Sequence, residues 1–66
     1  MPARWGDTLK RLRLQRGWTQ QALADKVGAA RNTIARLETG NRRPSFEMLE
    51  RLARAFRLSL ADLLRQ

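Results

Sequence analysis

The sequence has no cysteine, no histidine and no tyrosine, and only six acidic residues. Without cysteine the chain has neither a disulfide nor a thiolate metal ligand, so its fold must depend on side-chain packing. Most side chains that serve as general bases or nucleophiles are missing, and each carboxylate lies near a basic residue or a helix start that explains it. We therefore predict that the protein is not an enzyme and that it binds no metal and no cofactor.

Long apolar segments are also absent. No stretch approaches the length of about 20 apolar residues that a membrane-spanning helix requires. Residues 1–5 lack the apolar run of a signal peptide. We expect a soluble, cytoplasmic protein with no membrane partner, and, because nothing follows Gln66, no small-molecule effector domain.

The chain is rich in positive charge. Its 14 Lys and Arg residues, against six acidic residues, give a net charge of +8 at pH 7. Only Lys10 and Lys26 of the basic residues are lysines. Such a charge favours polyanions, either nucleic acid or an anionic membrane surface. A chain of 66 residues forms one domain, 1–66, with little room for an enclosed pocket. A binding module is the expected class.

Apolar residues recur at helical spacing between glycine and proline breaks, and no strand-like alternation occurs. The pattern predicts an all-α domain with five helices. Their predicted positions are residue 5 or 6 to 16, 19 to 28, about 31 to 39, 44 or 45 to 56, and 59 onwards.

The predicted helix starts differ in quality. Thr19 is a good N-cap, and Ser59 with Asp62 has the spacing of a capping box. Ala30 has no side-chain oxygen, so the third helix should start less stably, by about 1 kcal/mol. Trp5 and Phe46 are expected on inward faces. Leu14 lies off the apolar stripe, and the sequence leaves open whether it is buried or forms a contact surface.

A series of residues between Leu9 and Leu64 carries a family resemblance. It consists of Leu12-Arg13, Gly17-Trp18-Thr19-Gln20, Leu23-Ala24, Val27-Gly28, Thr33-Ile34, Leu37-Glu38, Gly40, Pro44, Leu52-Ala53, and Leu60 with Leu63. The chain thereby resembles the Cro and phage-repressor type, or XRE family, of helix-turn-helix regulators. The resemblance implies a lambda-repressor-like, five-helix DNA-binding domain with its helix-turn-helix at about residues 19–39.

The resemblance makes residues 31–39 the recognition helix, which enters the major groove by its N-terminal end. Its base-reading residues would be Arg31, Asn32 and Arg36. Helical spacing agrees, because Ile34 and Leu37 point inward and leave these positions on the opposite side. For Asn32 the alternative is a hydrogen bond at the helix start.

The resemblance also implies DNA contacts outside the base readers. The predicted phosphate contacts are Gln20, Thr33, Asn41, Arg42 and Arg43. For Gln20 the alternative is simple exposed polarity. Arg13 and Glu38 match a pair that joins the first and third helices, which makes Glu38 structural although it lies among the DNA contacts.

These observations favour a sequence-specific transcriptional regulator that binds double-stranded DNA. We expect a two-fold homodimer on a palindromic operator, with Phe56, Leu60 and Leu64 as interface candidates, although each could equally complete the monomer's core. The regulator would be a phage or plasmid repressor or a restriction-modification controller, bacterial or phage-encoded and associated with the nucleoid. The alternative is an antitoxin-like module that binds a partner protein.

Overall fold

The computed structural model describes residues 5–66, which form five α-helices. They are α1 (Trp5–Gln15), α2 (Gln20–Val27), α3 (Arg31–Thr39), α4 (Phe46–Phe56) and α5 (Leu60–Arg65). The predicted all-α, five-helix fold is confirmed, and no strand occurs within residues 5–66. The predicted absence of a signal peptide concerns residues that lie mostly outside this range. No helix in the described part of the chain is long and apolar enough to cross a membrane.

Side-chain caps define the starts of three helices. The hydroxyls of Thr19, Ser45 and Ser59 each accept a hydrogen bond, 3.0 Å long, from the backbone N–H three residues further on. As predicted, Ala30 makes no side-chain cap on α3. The capping box at Ser59 forms only in part, because the Asp62 carboxylate accepts a hydrogen bond from Arg65 instead.

The apolar faces of all five helices meet in one core. Its fully buried side chains are Leu9, Leu23, Ile34, Leu37, Leu52 and Leu63. Trp5 is also buried, as predicted, with 4% of its surface exposed. Leu14, left open by the sequence, is 56% exposed on the outer side of α1.

The two phenylalanines of α4 differ in burial. Phe46 is 65% exposed rather than inward, because it is the first residue of α4 and lies beyond the core that covers later positions. Phe56 is only 2% exposed, and its ring stacks on that of Trp18 at a centroid distance of 5.6 Å. Packing within the chain therefore accounts for Phe56, in agreement with the alternative that it completes the monomer's core.

Gly6 lies at a close approach between α1 and α3. A β-carbon there would lie 2.6 Å from the carbonyl oxygen of Leu37 and would clash with that of Glu38. Both neighbours are backbone atoms, which cannot rotate away. The absence of a side chain at Gly6 therefore allows α1 to lie directly against the C-terminal half of α3.

We expect the substitution Gly6→Ala to destabilise the protein by about 1 to 3 kcal/mol, because the added methyl group pushes two helices apart. The sign of the stability change is informative, because alanine normally stabilises a helix relative to glycine by up to about 1 kcal/mol. Chemical denaturation measures the effect. Arg11→Ala, at an exposed position of the same helix, should change stability by less than about 0.5 kcal/mol. A stabilised Gly6→Ala protein would show that the two helices have room to separate.

Candidate nucleic-acid interface

Helix α3 has one buried and one exposed side. Ile34 and Leu37 are 0% and 2% exposed, so they fix the inward side against the core. Arg31, Asn32 and Arg36 are all exposed. The predicted base readers thus lie on the outer side of α3, where a groove of DNA could receive them.

A buried ion pair joins α1 to α3. Arg13 Nε donates to Glu38 Oε2 at 2.6 Å, and Arg13 Nη2 donates to Glu38 Oε1 at 3.1 Å. The two side chains are only 8% and 3% exposed. The hydrogen bond to Glu38 raises the pKa of Arg13 above its usual value, against the opposing effect of burial, so the guanidinium remains charged.

The remaining nitrogen of Arg13 extends this connection to α2. Nη1 donates to the carbonyl oxygen of Trp18 at 2.7 Å, in the turn that precedes α2. Two further contacts hold Trp18. Its ring stacks on that of Phe56, and the ammonium of Lys26 lies 4.6 Å from the centroid of the Trp18 ring. The start of α2 is therefore held relative to both α1 and α4.

Gln20 links the buried ion pair to the protein surface. Its Nε2 donates to Glu38 Oε1 at 3.2 Å, and its Oε1 accepts from Arg31 Nη1 at 3.3 Å. A predicted phosphate contact and a predicted base reader are thus in direct contact with each other. Sequence reasoning missed this contact, although Gln20 and Arg31 are the first residues of two helices that a short turn brings together.

The loop after α3 presents the other predicted phosphate contacts. Asn41, Arg42 and Arg43 are exposed, whereas Thr33 on α3 is half-buried. The backbone of the loop is ordered by Gly40, which ends α3 at φ 81°, and by a hydrogen bond of 2.9 Å from Asn41 N to Arg36 O. Within the described residues, neither Arg42 nor Arg43 forms an ion pair. Both charges are thus available to a ligand.

Arg51 has a second partner that the sequence did not predict. It pairs with Glu47, four residues earlier on α4, at 2.5 Å, and it also donates to the carbonyl oxygen of Val27 at 3.3 Å. The second bond ties α4 to the C-terminal end of α2.

In residues 5–66 no group of acidic side chains has the arrangement of a metal site.

Comparison with known proteins gives the family. The family model described as helix-turn-helix matches residues 9–63, which is most of the chain. The chain belongs to the helix-turn-helix family. This confirms the resemblance to the XRE type.

Individual relatives include proteins named as regulators. The competence pilus inhibition repressor of Acinetobacter baylyi is 41% identical over 58 residues, which are 88% of this chain and 53% of that protein. This chain therefore spans about half the length of that repressor.

Two solved structures resemble the fold. One is the restriction-modification controller protein C.AhdI from Aeromonas hydrophila, with a TM-score of 0.87, 30% identity and 92% of each chain covered. The other is SinR, a master regulator for biofilm formation, in complex with DNA. It has a TM-score of 0.82 and 28% identity, and the match covers 91% of this chain and 97% of that one. The helix-turn-helix family is one of DNA-binding regulators.

We expect Arg13→Met to destabilise the fold by about 3 to 5 kcal/mol, because the Glu38 carboxylate would remain buried without its cation. Chemical denaturation followed by circular dichroism measures the loss. The double variant Arg13→Met with Glu38→Met should recover much of it, since no unpaired charge is left behind. A single variant as stable as the parent protein would show that the carboxylate finds water or another donor.

Proposed function

We propose that the protein is a transcriptional regulator that binds double-stranded DNA sequence-specifically, with α3 in the major groove. It acts by occupying DNA and not by catalysis, at the nucleoid of a bacterium or of a phage-infected host. One observation carries this proposal: Arg31, Asn32 and Arg36 are exposed on α3, while Ile34 and Leu37 fix the opposite side in the core. The relatives named as repressors and controllers support it.

The exposed side chains of α3 have the chemistry of base readers. Arginine donates two parallel hydrogen bonds to guanine O6 and N7, and asparagine pairs with adenine N6 and N7. Such recognition costs less conformational entropy when the side chain is held in position before binding. Gln20 places Arg31 in this way, through a contact that exists in the free protein.

A second group of residues would hold the DNA backbone. Its proposed members are Gln20, Thr33, Asn41, Arg42 and Arg43. These residues fix register and orientation, and their contacts carry no sequence information of their own. The net charge of +8 adds long-range attraction to any duplex.

We also propose a two-fold dimer, because one such domain reads only a few base pairs. A palindromic operator with half-sites about one helical turn apart would match it. On α5, Leu64 is 39% exposed and Leu60 is half-buried. These two residues are the proposed interface. The similarity to C.AhdI supports the proposed restriction-modification controller, and the similarity to a named repressor supports a repressor, for which we propose the phage or plasmid type.

Replacing Arg31, Asn32 or Arg36 with alanine should cost about 1 to 3 kcal/mol of binding to the preferred operator and relax the preference at one base position. Selection from a random duplex pool first identifies the operator, and titration of single-base variants then measures the loss. For the two arginines the matched control is Arg54→Ala, an equal charge change at an exposed position of α4. Equal losses on operator and random DNA would remove that residue from the base readers.

Replacing Arg42 or Arg43 with alanine should weaken binding to every sequence alike, because a phosphate contact reads no base. The slope of log K against log salt concentration should fall by about one unit per arginine removed. Titrations at several salt concentrations measure this slope, again with Arg54→Ala as the control. If the slope stays at the parent value, the arginine does not neutralise a phosphate.

A further inference from the structure

The fold leaves the side chain of Phe46 uncovered at the start of α4. Of the large apolar residues that are exposed in the described part of the chain, Phe46 at 65% is more exposed than Leu14 at 56% and Leu64 at 39%. An aromatic ring in water gains free energy when a partner covers it. The position of Phe46 in the fold indicates which partner that is.

Phe46 lies next to the basic loop. It is three residues beyond Arg43, a distance that the chain can extend to at most about 11 Å. Asn41, Arg42 and Arg43 in that loop are all exposed. The ring therefore lies at the margin of the surface that carries the proposed phosphate contacts.

The neighbouring acidic residue does not oppose an anion at this place. Glu47 follows Phe46, but its carboxylate is paired with Arg51 at 2.5 Å. The first turn of α4 also presents the positive end of a helix dipole. Glu50, one turn further along α4, is exposed and opposes this charge, but Arg42 and Arg43 outnumber it. Around Phe46 the balance of charge is therefore positive, which is complementary to a phosphodiester backbone.

We propose that Phe46 packs its ring against a deoxyribose of the DNA backbone, beside the phosphates held by Arg42 and Arg43. The proposal rests on the proposed function and adds an apolar contact to it. A second copy of this chain is the weaker occupant, because a two-fold interface around Phe46 would bring the arginines of both copies close together. A sugar contact displaces no counterion and reads no base, so it contributes affinity independently of salt and sequence.

The test compares Phe46→Ala with Leu14→Ala, which removes a similarly exposed apolar side chain from α1. Phe46→Ala should weaken binding to operator and random duplex alike by about tenfold, the factor expected when much of a buried ring is lost. The salt slope should stay at the parent value. Leu14→Ala should bind as the parent does, and Phe46→Leu should recover part of the loss.

Three results would overturn the proposal: unchanged DNA binding by Phe46→Ala, a loss that Leu14→Ala shares, or a change in the salt slope. Sedimentation of the protein without DNA tests whether Phe46 instead forms a dimer contact. If Phe46→Ala lowers self-association and its DNA binding recovers at high protein concentration, the ring belongs to a dimer contact and the sugar contact is wrong. Failure of the parent protein to bind any duplex would instead refute the proposed function.

Discussion

The buried pair of Arg13 and Glu38 is the interaction on which the arrangement of the DNA-facing helices depends. Glu38 accepts hydrogen bonds from two nitrogens of Arg13 and from Gln20, while Arg13 also donates to the carbonyl oxygen of Trp18. One ion pair thus connects α1, the turn before α2, the start of α2 and the end of α3. Burial of two charges is costly, and an apolar replacement can be equally stable. The advantage of the pair is therefore geometric: its directional bonds fix how α2 and α3 are placed relative to each other.

The polarity of this network also determines the orientation of a surface side chain. A carboxylate can only accept hydrogen bonds and a guanidinium can only donate them. Gln20, between Glu38 and Arg31, must therefore turn its amide nitrogen to Glu38 and its oxygen to Arg31, as the structure shows. The nitrogen has a second hydrogen, which remains available to a phosphate. Gln20 can consequently hold Arg31 and contact the DNA backbone at the same time, so the two proposed roles do not compete.

The parts of the fold that sequence predicted well are those set by neighbouring residues. The C-terminal limit of α3 at Gly40 and the cap at Thr19 follow from local chemistry, since a hydroxyl or a glycine acts within one turn of itself. Contacts between distant elements were not predictable in this way. Phe46 has the right helical spacing for burial, but whether the core reaches it depends on how α4 lies against the other helices. The close approach at Gly6 and the link from Gln20 to Arg31 are likewise products of the packed structure.

The two ends of α3 are stabilised in different ways, and the difference agrees with the proposed docking. At the C-terminal end, the N–H of Gly40 and that of Asn41 cap the last carbonyl groups. At the N-terminal end, Ala30 offers no side-chain acceptor to the first N–H groups. An exposed, uncapped helix start favours an anion, because its free N–H groups and its dipole both attract negative charge. In the proposed complex this end faces DNA, whose acceptor atoms can supply the hydrogen bond that Ala30 lacks. The missing cap then lowers the stability of α3 in the free protein and increases the stabilisation that α3 gains when DNA binds.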